Sequence, residues 1–478
     1  MYPQYYQMTL EDYDFPYGKL DPENEWVKLA NLVSWSKAEA EYAKQFVNNG
    51  HPAHSVRIAL GALIIKQKLR CSDEWVMRHV SENPYLQFFL GMKAYTNSCP
   101  FGASTMVEFR KRFPPETISA LLKASVPRDD DQKPDPPAGG TGGSEKDSTP
   151  ENDGTLLMDA TCCPADVAFP QDFQLLNDVR ERLEHMADEF CAVNGIKRPR
   201  MKRQCARRDF LSLSKSKKKS AKKIREGIRK QLQYIRRGIR FIVEIIGKYR
   251  LKVSGKQAEQ LNIVTTLYEQ QLYMYECRTH SVADRIVSLS QPWIRPIVRG
   301  KAHAATEFGT KLHISMVNGY AKIERLSFNA FNEATDFFVV VEGYRQDHGF
   351  YPARVLADKI YRNREILSWC KERNIRMTGV ALGRPPKDKD KKREARRQEY
   401  QDTCDRNIVE GEFGVGKRSY GLNRIMAHLP ETSFCVIGIA LLCMNLQKRL
   451  RALLSAFFEI LLHQNRWMKN DCFRLVTE

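Results

Sequence analysis

The chain has 478 residues, with 76 Lys and Arg against 57 Asp and Glu, a formal charge of +19 and a sequence pI near 9.3. That length suits roughly two to four domains with a substantial core, and twelve cysteines without a single Cys-x2-Cys pair exclude a zinc-ribbon framework. An acidic, aromatic amino terminus carries no signal peptide pattern, so a reduced, cytoplasmic chain with mostly buried thiols is expected.

The first elements read as a small helical unit, residues 1–126. Val56, Leu60, Leu63 and Ile64 share one face of a predicted helix over 55–69. Ser72 supplies an N-cap followed by first-turn acids, and Thr105 with Glu108 has the spacing of a capping box. His51 and His54 stand close together without an acidic or Cys partner, so no metal site is expected there. Residues 127–153 then read as a flexible linker, because their acids, prolines and glycines cannot bury a core.

An apolar strand follows at 155–161, with Asp159 set into it. Beyond it the charge concentrates: residues 197–252 hold 22 Lys and Arg against Asp209, Glu226 and Glu244, so this one segment carries a net +19 and the rest is close to neutral. Ile224, Ile228, Leu232, Ile235, Ile239, Ile242 and Ile246 recur at steps of three and four, which predicts an amphipathic helix with a basic face. A basic helical insertion over 174–290 is expected, with Arg203, Arg207, Lys217, Lys218 and Lys219 able to grip a polyanion's phosphates. A solvated surface helix is the plain alternative.

Two strand-like runs at 308–317 and 322–328 flank Asn318-Gly319, a strong hairpin turn signal. A helix over 332–344, a strand at 353–357 ending in Asp358, a helix over 365–372 and a short strand at 375–381 complete the pattern, with His303 and His313 read as packing residues. A second basic patch at 383–393 contains Arg384 and Lys387. Arg406, Glu410 and Lys417 then fall at i, i+4 and i+11 on one face of a predicted helix. The apolar run 434–444 is too short to span a bilayer and reads as a core helix, so no membrane partner is expected.

The spacing R-x3-E-x6-K at 406, 410 and 417 resembles the third catalytic motif of bacterial insertion-sequence transposases of the DDE class. The strand ending in Asp358 resembles their second motif, the Gly-Arg-Pro at 383–385 matches an element they carry at that point, and the run 57–112 resembles their amino-terminal domain. The family motif commonly has Tyr where this chain has Thr403.

The resemblance implies an α/β fold, a ribonuclease H-like mixed sheet flanked by helices. A helical amino-terminal domain (1–126) binds DNA ends or dimerises, the catalytic domain spans 154–430, and carboxy-terminal helices (431–478) pack on it. It implies Asp159, Asp358 and Glu410 as catalytic, metal-binding carboxylates for two Mg2+ ions, replaceable by Mn2+. Arg406, Lys417, Arg418, Arg384 and Lys387 are implied as phosphate contacts. The partners implied are double-stranded DNA, both the element's terminal inverted repeats and target DNA, and a second copy in a homodimeric synapse, with a nucleoid-associated location. A ribonuclease H-like nuclease without joining activity, or an inactive transposase kept as a DNA-binding protein, would share these features.

Overall fold

A computed structural model describes residues 8–16, 18–46, 53–127, 151–298, 306–379 and 388–474, with side chains to residue 455 except at 389 and 391. Two compact units emerge: Met1–Pro164 with Lys311–Ser327 and Phe331–Glu478, and the inserted Ala165–Thr310 with Phe328–Ala330.

The first unit opens with α1 (Glu25–Leu32), α2 (Trp35–Ala43), α3 (Val56–Leu69), α4 (Asp73–Glu82), α5 (Pro84–Phe89), α6 (Thr105–Lys111) and α7 (Pro115–Ser125). Their limits follow from caps. Ser55 accepts from the Ile58 amide, Ser72 from Trp75, and Asn83 from Tyr85 with Pro84 at the first helical position. The capping box expected at Thr105 does not form: Ser104 is the N-cap, in helical backbone conformation, and makes no side-chain cap bond.

After β1 (Thr155–Pro164) come, in the inserted unit, α8 (Asp172–Val193), α9 (Arg203–Ser214), α10 (Ala221–Tyr249), α11 (Gly255–Cys277) and β2 (Arg295–Val298). Then follow β3 (Thr306–Val317), β4 (Tyr320–Ser327), α12 (Phe337–His348), β5 (Arg354–Leu356), α13 (Arg364–Glu372), β6 (Arg376–Met377), α14 (Lys389–Ser419) and α15 (Pro430–Arg474). The strands order as β2-β3-β1-β5-β6 with β4 paired to β3, a mixed sheet flanked by helices of the ribonuclease H-like kind. Asn318 and Gly319 both adopt positive φ, 51° and 77°, the turn that matches strand twist in a two-residue hairpin.

Some limits differ from expectation. The helix expected over 332–344 is a 3-10 turn at Glu333–Asp336 leading into α12, and the strand expected at 375–381 is confined, among described residues, to Arg376–Met377. Asp388 caps α14, so the end of the second basic patch is helical; Arg384 and Lys387 lie outside the described residues.

Strand alternation sorts the core of the first unit. Leu156, Met158, Val355 and Ala357 face α12 and α13 through Phe337, Val340, Val341, Ile366 and Cys370. Leu157, Cys163, Leu312, Ile314, Met316 and Leu356 face the other way, into one continuous core with α15 and the amino-terminal helices. No break in that core falls at 126, where the sequence suggested a separate helical unit, and the 431–455 helix packs into the same core. The stretch Pro430–Ser455 is long and apolar enough to cross a membrane, yet 72% of its apolar 18-residue window is buried inside the protein, as in a core helix.

The inserted unit has its own core. Leu232, Ile235, Ile242 and Ile245 of α10 meet Leu176, Val179, Leu183 and Met186 of α8 and Val264 and Leu267 of α11. Ser220 caps α10 through the Lys223 amide, and Ser254 with Gln257 forms a full capping box on α11.

Candidate active site

Asp159 and Asp358 owe their positions to strand pairing. β1 and β5 run parallel with Thr155 beside Arg354 and Leu157 beside Leu356. Two residues further, in the same phase, stand Asp159 and Asp358. Asp358 is the N-cap of a short 3-10 turn and accepts from the Lys359 amide at 2.7 Å, while Asp159 accepts from the Ala160 amide at 2.7 Å. Both carboxylates act on one buried phenol, Tyr361, whose ionisation is pushed far up by burial first and then by the charges of Glu333, Asp159, Asp336 and Asp358.

Glu410 arrives on α14, and Arg406 ties it to the strands. The Arg406 guanidinium donates to Asp358 Oδ1 at 3.1 Å and stands 3.8 Å from Glu410 Oε1. Glu410 itself is exposed, and Lys417, seven residues along and so on the same face, is half-buried. Arg418 is exposed, and its carbonyl accepts from Arg70. Thr403, where an aromatic was expected, is exposed and returns its hydroxyl to the Glu399 carbonyl at 2.8 Å. Glu412, two residues from Glu410, turns the opposite way: burial pushes its carboxyl up, against the opposing charges of Lys448 and Arg451 on α15.

Beneath the carboxylates lies a polar chain that sequence reading missed. His313 is fully buried, not merely packed. Tyr361 Oη lies 2.9 Å from His313 Nε2, and His313 Nδ1 lies 3.3 Å from Asp336 Oδ2, while Arg325 reaches the other oxygen, Asp336 Oδ1, at 3.1 Å. The tautomer that satisfies all of these has the phenol donating to Nε2 and Nδ1–H donating to Asp336. Burial holds the imidazole below its ordinary pKa despite Asp336. No spacing in the sequence marks these partners; only the fold joins them.

In the inserted unit the expected phosphate contacts divide. Arg203 gives both arms of its guanidinium to Asp188, at 2.6 and 2.7 Å, and this bond holds the Asp188 carboxyl below its usual range. That side chain is a strut between α8 and α9. Arg207, Lys217 and Lys218 are exposed, and Lys219 lies over the Phe173 ring at 5.1 Å. Arg207, Arg208 and Lys215 line a shallow groove on α9.

Residues 355–447 match the family described as Transposase DDE domain, and residues 15–112 match the family described as Transposase domain (DUF772). The chain belongs to the DDE-class insertion-sequence transposases. An uncharacterized protein of Rhizobium meliloti, ORF8 in the nfe locus, is 32% identical to this transposase over 156 residues, which is 33% of this chain and 69% of the relative. No solved structure matches the transposase.

Divalent metal dependence comes with the DDE family. Among the described residues of the transposase, no three acidic, His or Cys side chains converge tightly enough to share one ion. What fits is the donor chemistry. Three carboxylates offer the hard oxygen ligands a divalent cation such as Mg2+ takes, with Asp159 and Asp358 each two residues beyond the Leu157–Leu356 pair and Glu410 across one guanidinium from Asp358.

Proposed function

We propose that this transposase binds the terminal inverted repeats of its element, cleaves DNA at the element ends and joins the 3′-hydroxyl ends to target DNA. The observation that supports this most is Arg406, which links Asp358 on the strand side to Glu410 on the helix. Asp159, Asp358 and Glu410 would hold two Mg2+ ions, with Mn2+ as substitute. Bound there, the ions supply activation of the attacking water or 3′-hydroxyl and stabilise the leaving 3′-oxygen.

The chain's own groups do the remainder. Lys417 and Arg406, on the Glu410 face, orient phosphates beside the scissile bond, and Arg418 a quarter-turn away takes a neighbouring phosphate. Arg207, Lys217 and Lys218 of the inserted unit grip the duplex backbone without regard to sequence. The helices α1–α7 bind the element ends. Two ends must be processed together, so the working form is a homodimer on DNA, in the cytoplasm at the nucleoid.

The test uses element-end duplexes and the variants Asp159→Asn, Asp358→Asn and Glu410→Gln. Each is expected to lose Mg2+-dependent cleavage and joining while binding end DNA within about threefold of the parent, an order-of-magnitude tolerance. Cleavage retained by Asp358→Asn overturns the triad. Cleavage without joining of 3′-hydroxyl ends makes the protein a nuclease, and binding without either makes it a DNA-binding relic.

A further inference from the structure

α14 has to bring Glu410 to two carboxylates carried on strands, yet it has little apolar surface with which to seat itself, Val409 and a half-covered Phe413. Among its described side chains the buried positions are Asp402, Val409 and Gly416, at steps of seven. Val409, Phe413, and Gly416 against Leu422 and against Met444 of α15 set a distance between the helix and its neighbours. They do not set a rotation. Fixing the roll of such a helix needs directional contacts, and the bidentate guanidinium–carboxylate pair is the most directional that proteins have.

The turn before Arg406 carries that contact. Asp402, 3% exposed, accepts both arms of Arg376 from β6, at 2.6 and 2.8 Å. Arg354 on β5 donates Nη1 to Asp405 at 2.7 Å, stands 3.6 Å from Asp402, and donates Nε to Thr155 Oγ1 on β1 at 2.6 Å. Gln398 and Gln401 brace the two carboxylates from one turn earlier, at 3.1 and 3.0 Å. Thr155 and Arg354 are register partners. One guanidinium therefore touches β1, β5 and α14, the three elements that present Asp159, Asp358 and Glu410.

We propose that Arg354 and Arg376, with Asp402 and Asp405, form a positioning clasp that sets the roll of α14 and so the place of Glu410 opposite Asp159 and Asp358. This rests on the reading of those three carboxylates as the transposase site. The four are positioning residues and do not touch DNA or the reacting atoms. Buried ion pairs contribute little net stability, so the return on this one is geometry. A misplacement of about 1 Å in a reacting group is enough to slow chemistry by about a hundredfold.

The experiment compares the full-length protein with Asp402→Asn, Arg354→Gln and the double variant Arg354→Lys/Arg376→Lys, which keeps every charge and loses both forks. Three readouts are taken: end cleavage, end binding without metal, and amide hydrogen exchange along the chain. The expected result is a loss of about tenfold or more in cleavage rate. Binding should stay within about twofold, and faster exchange should be confined to α14 around 398–412, with α3 and α15 unchanged. Cleavage within about threefold of the parent overturns the clasp. So does exchange that rises evenly through the first unit, which would mark a general stability role. The Lys pair decides the matter if the neutral variants fail to fold. Should the parent itself not cleave, the reading of the triad fails, while the exchange pattern still decides the clasp.

Discussion

α10 and α14 are both long helices with nine Lys and Arg each, yet they solve the problem of attachment in opposite ways. α10 buries Leu232, Ile235, Ile242 and Ile245 on one side, with Ile228, Ile239 and Ile246 half-covered beside them. α14 buries one large apolar residue, Val409, and half-covers Phe413, and along the turns around 402–405 it is seated through carboxylates. Where an apolar stripe does the anchoring, charges are left over for a ligand. Where it is missing, the charges become the anchor. Lys and Arg content alone does not tell which cations meet DNA: Arg203 is spent on Asp188 and Arg376 on Asp402, whereas Lys217 and Lys218 stand exposed.

The sharpest way to break the comparison is to remove apolar contact from α10. Ile235 is fully buried, so Ile235→Ala is expected to destabilise the inserted unit by about 2–5 kcal/mol in denaturant titrations. A loss below about 1 kcal/mol would mean that α10 is not held by its stripe. Next in size is the basic face. Replacing Lys217, Lys218, Lys219, Lys222 and Lys223 with Gln should weaken binding to any duplex and flatten the slope of log K against log salt by up to about 0.9 per lost contact. Stability should move by no more than about 0.5 kcal/mol. An unchanged slope would make the run a solvated face.

The smallest effect tests the other side of α14. Burial raises the Glu412 carboxyl above its unfolded value, so the folded state holds that proton more tightly. Its contribution to stability is complete below the unfolded pKa, roughly 4.3, and is lost as pH rises through the folded pKa. Glu412→Gln should therefore flatten the fall in stability above that pH and keep most cleavage and joining. If unfolding midpoints at pH 4 and pH 7 respond as in the parent, Glu412 is not the group responsible. If cleavage vanishes with Glu412→Gln and survives in Glu410→Gln, the catalytic face of α14 has been misassigned.

Much of the fold could be read because it rests on local or periodic signals. The Asn318-Gly319 turn, the stripe on α10 and the Arg406, Glu410, Lys417 face are each encoded within a few residues of chain. The proposed carboxylates Asp159, Asp358 and Glu410 were read the same way, by motif. What stayed hidden is what pairing creates. Arg354, Arg376, Asp402 and Asp405 are ordinary charged residues until β5, β6 and α14 bring them together. His313 gains its meaning only from Tyr361, 48 residues on. The amino-terminal helices looked separate because an amphipathic face shows that something must cover it without saying what; here the cover includes α15 and one face of the sheet.

The inserted unit leaves and closes at nearly one point. The Ala165 amide donates to the Phe308 carbonyl at 2.9 Å, so the two ends of about 140 intervening residues are stitched side by side. Closing a chain across such a gap depends only weakly on how long the excursion is. An accessory body spliced in at a stem of this kind can be lengthened, exchanged or lost in evolution without rethreading the strands that meet there. For the engineer the same stem is a graft point: a short turn from 165 to 308 would ask how much of the enzyme survives without its basic arm, and a foreign module in its place would ask whether target choice travels with it.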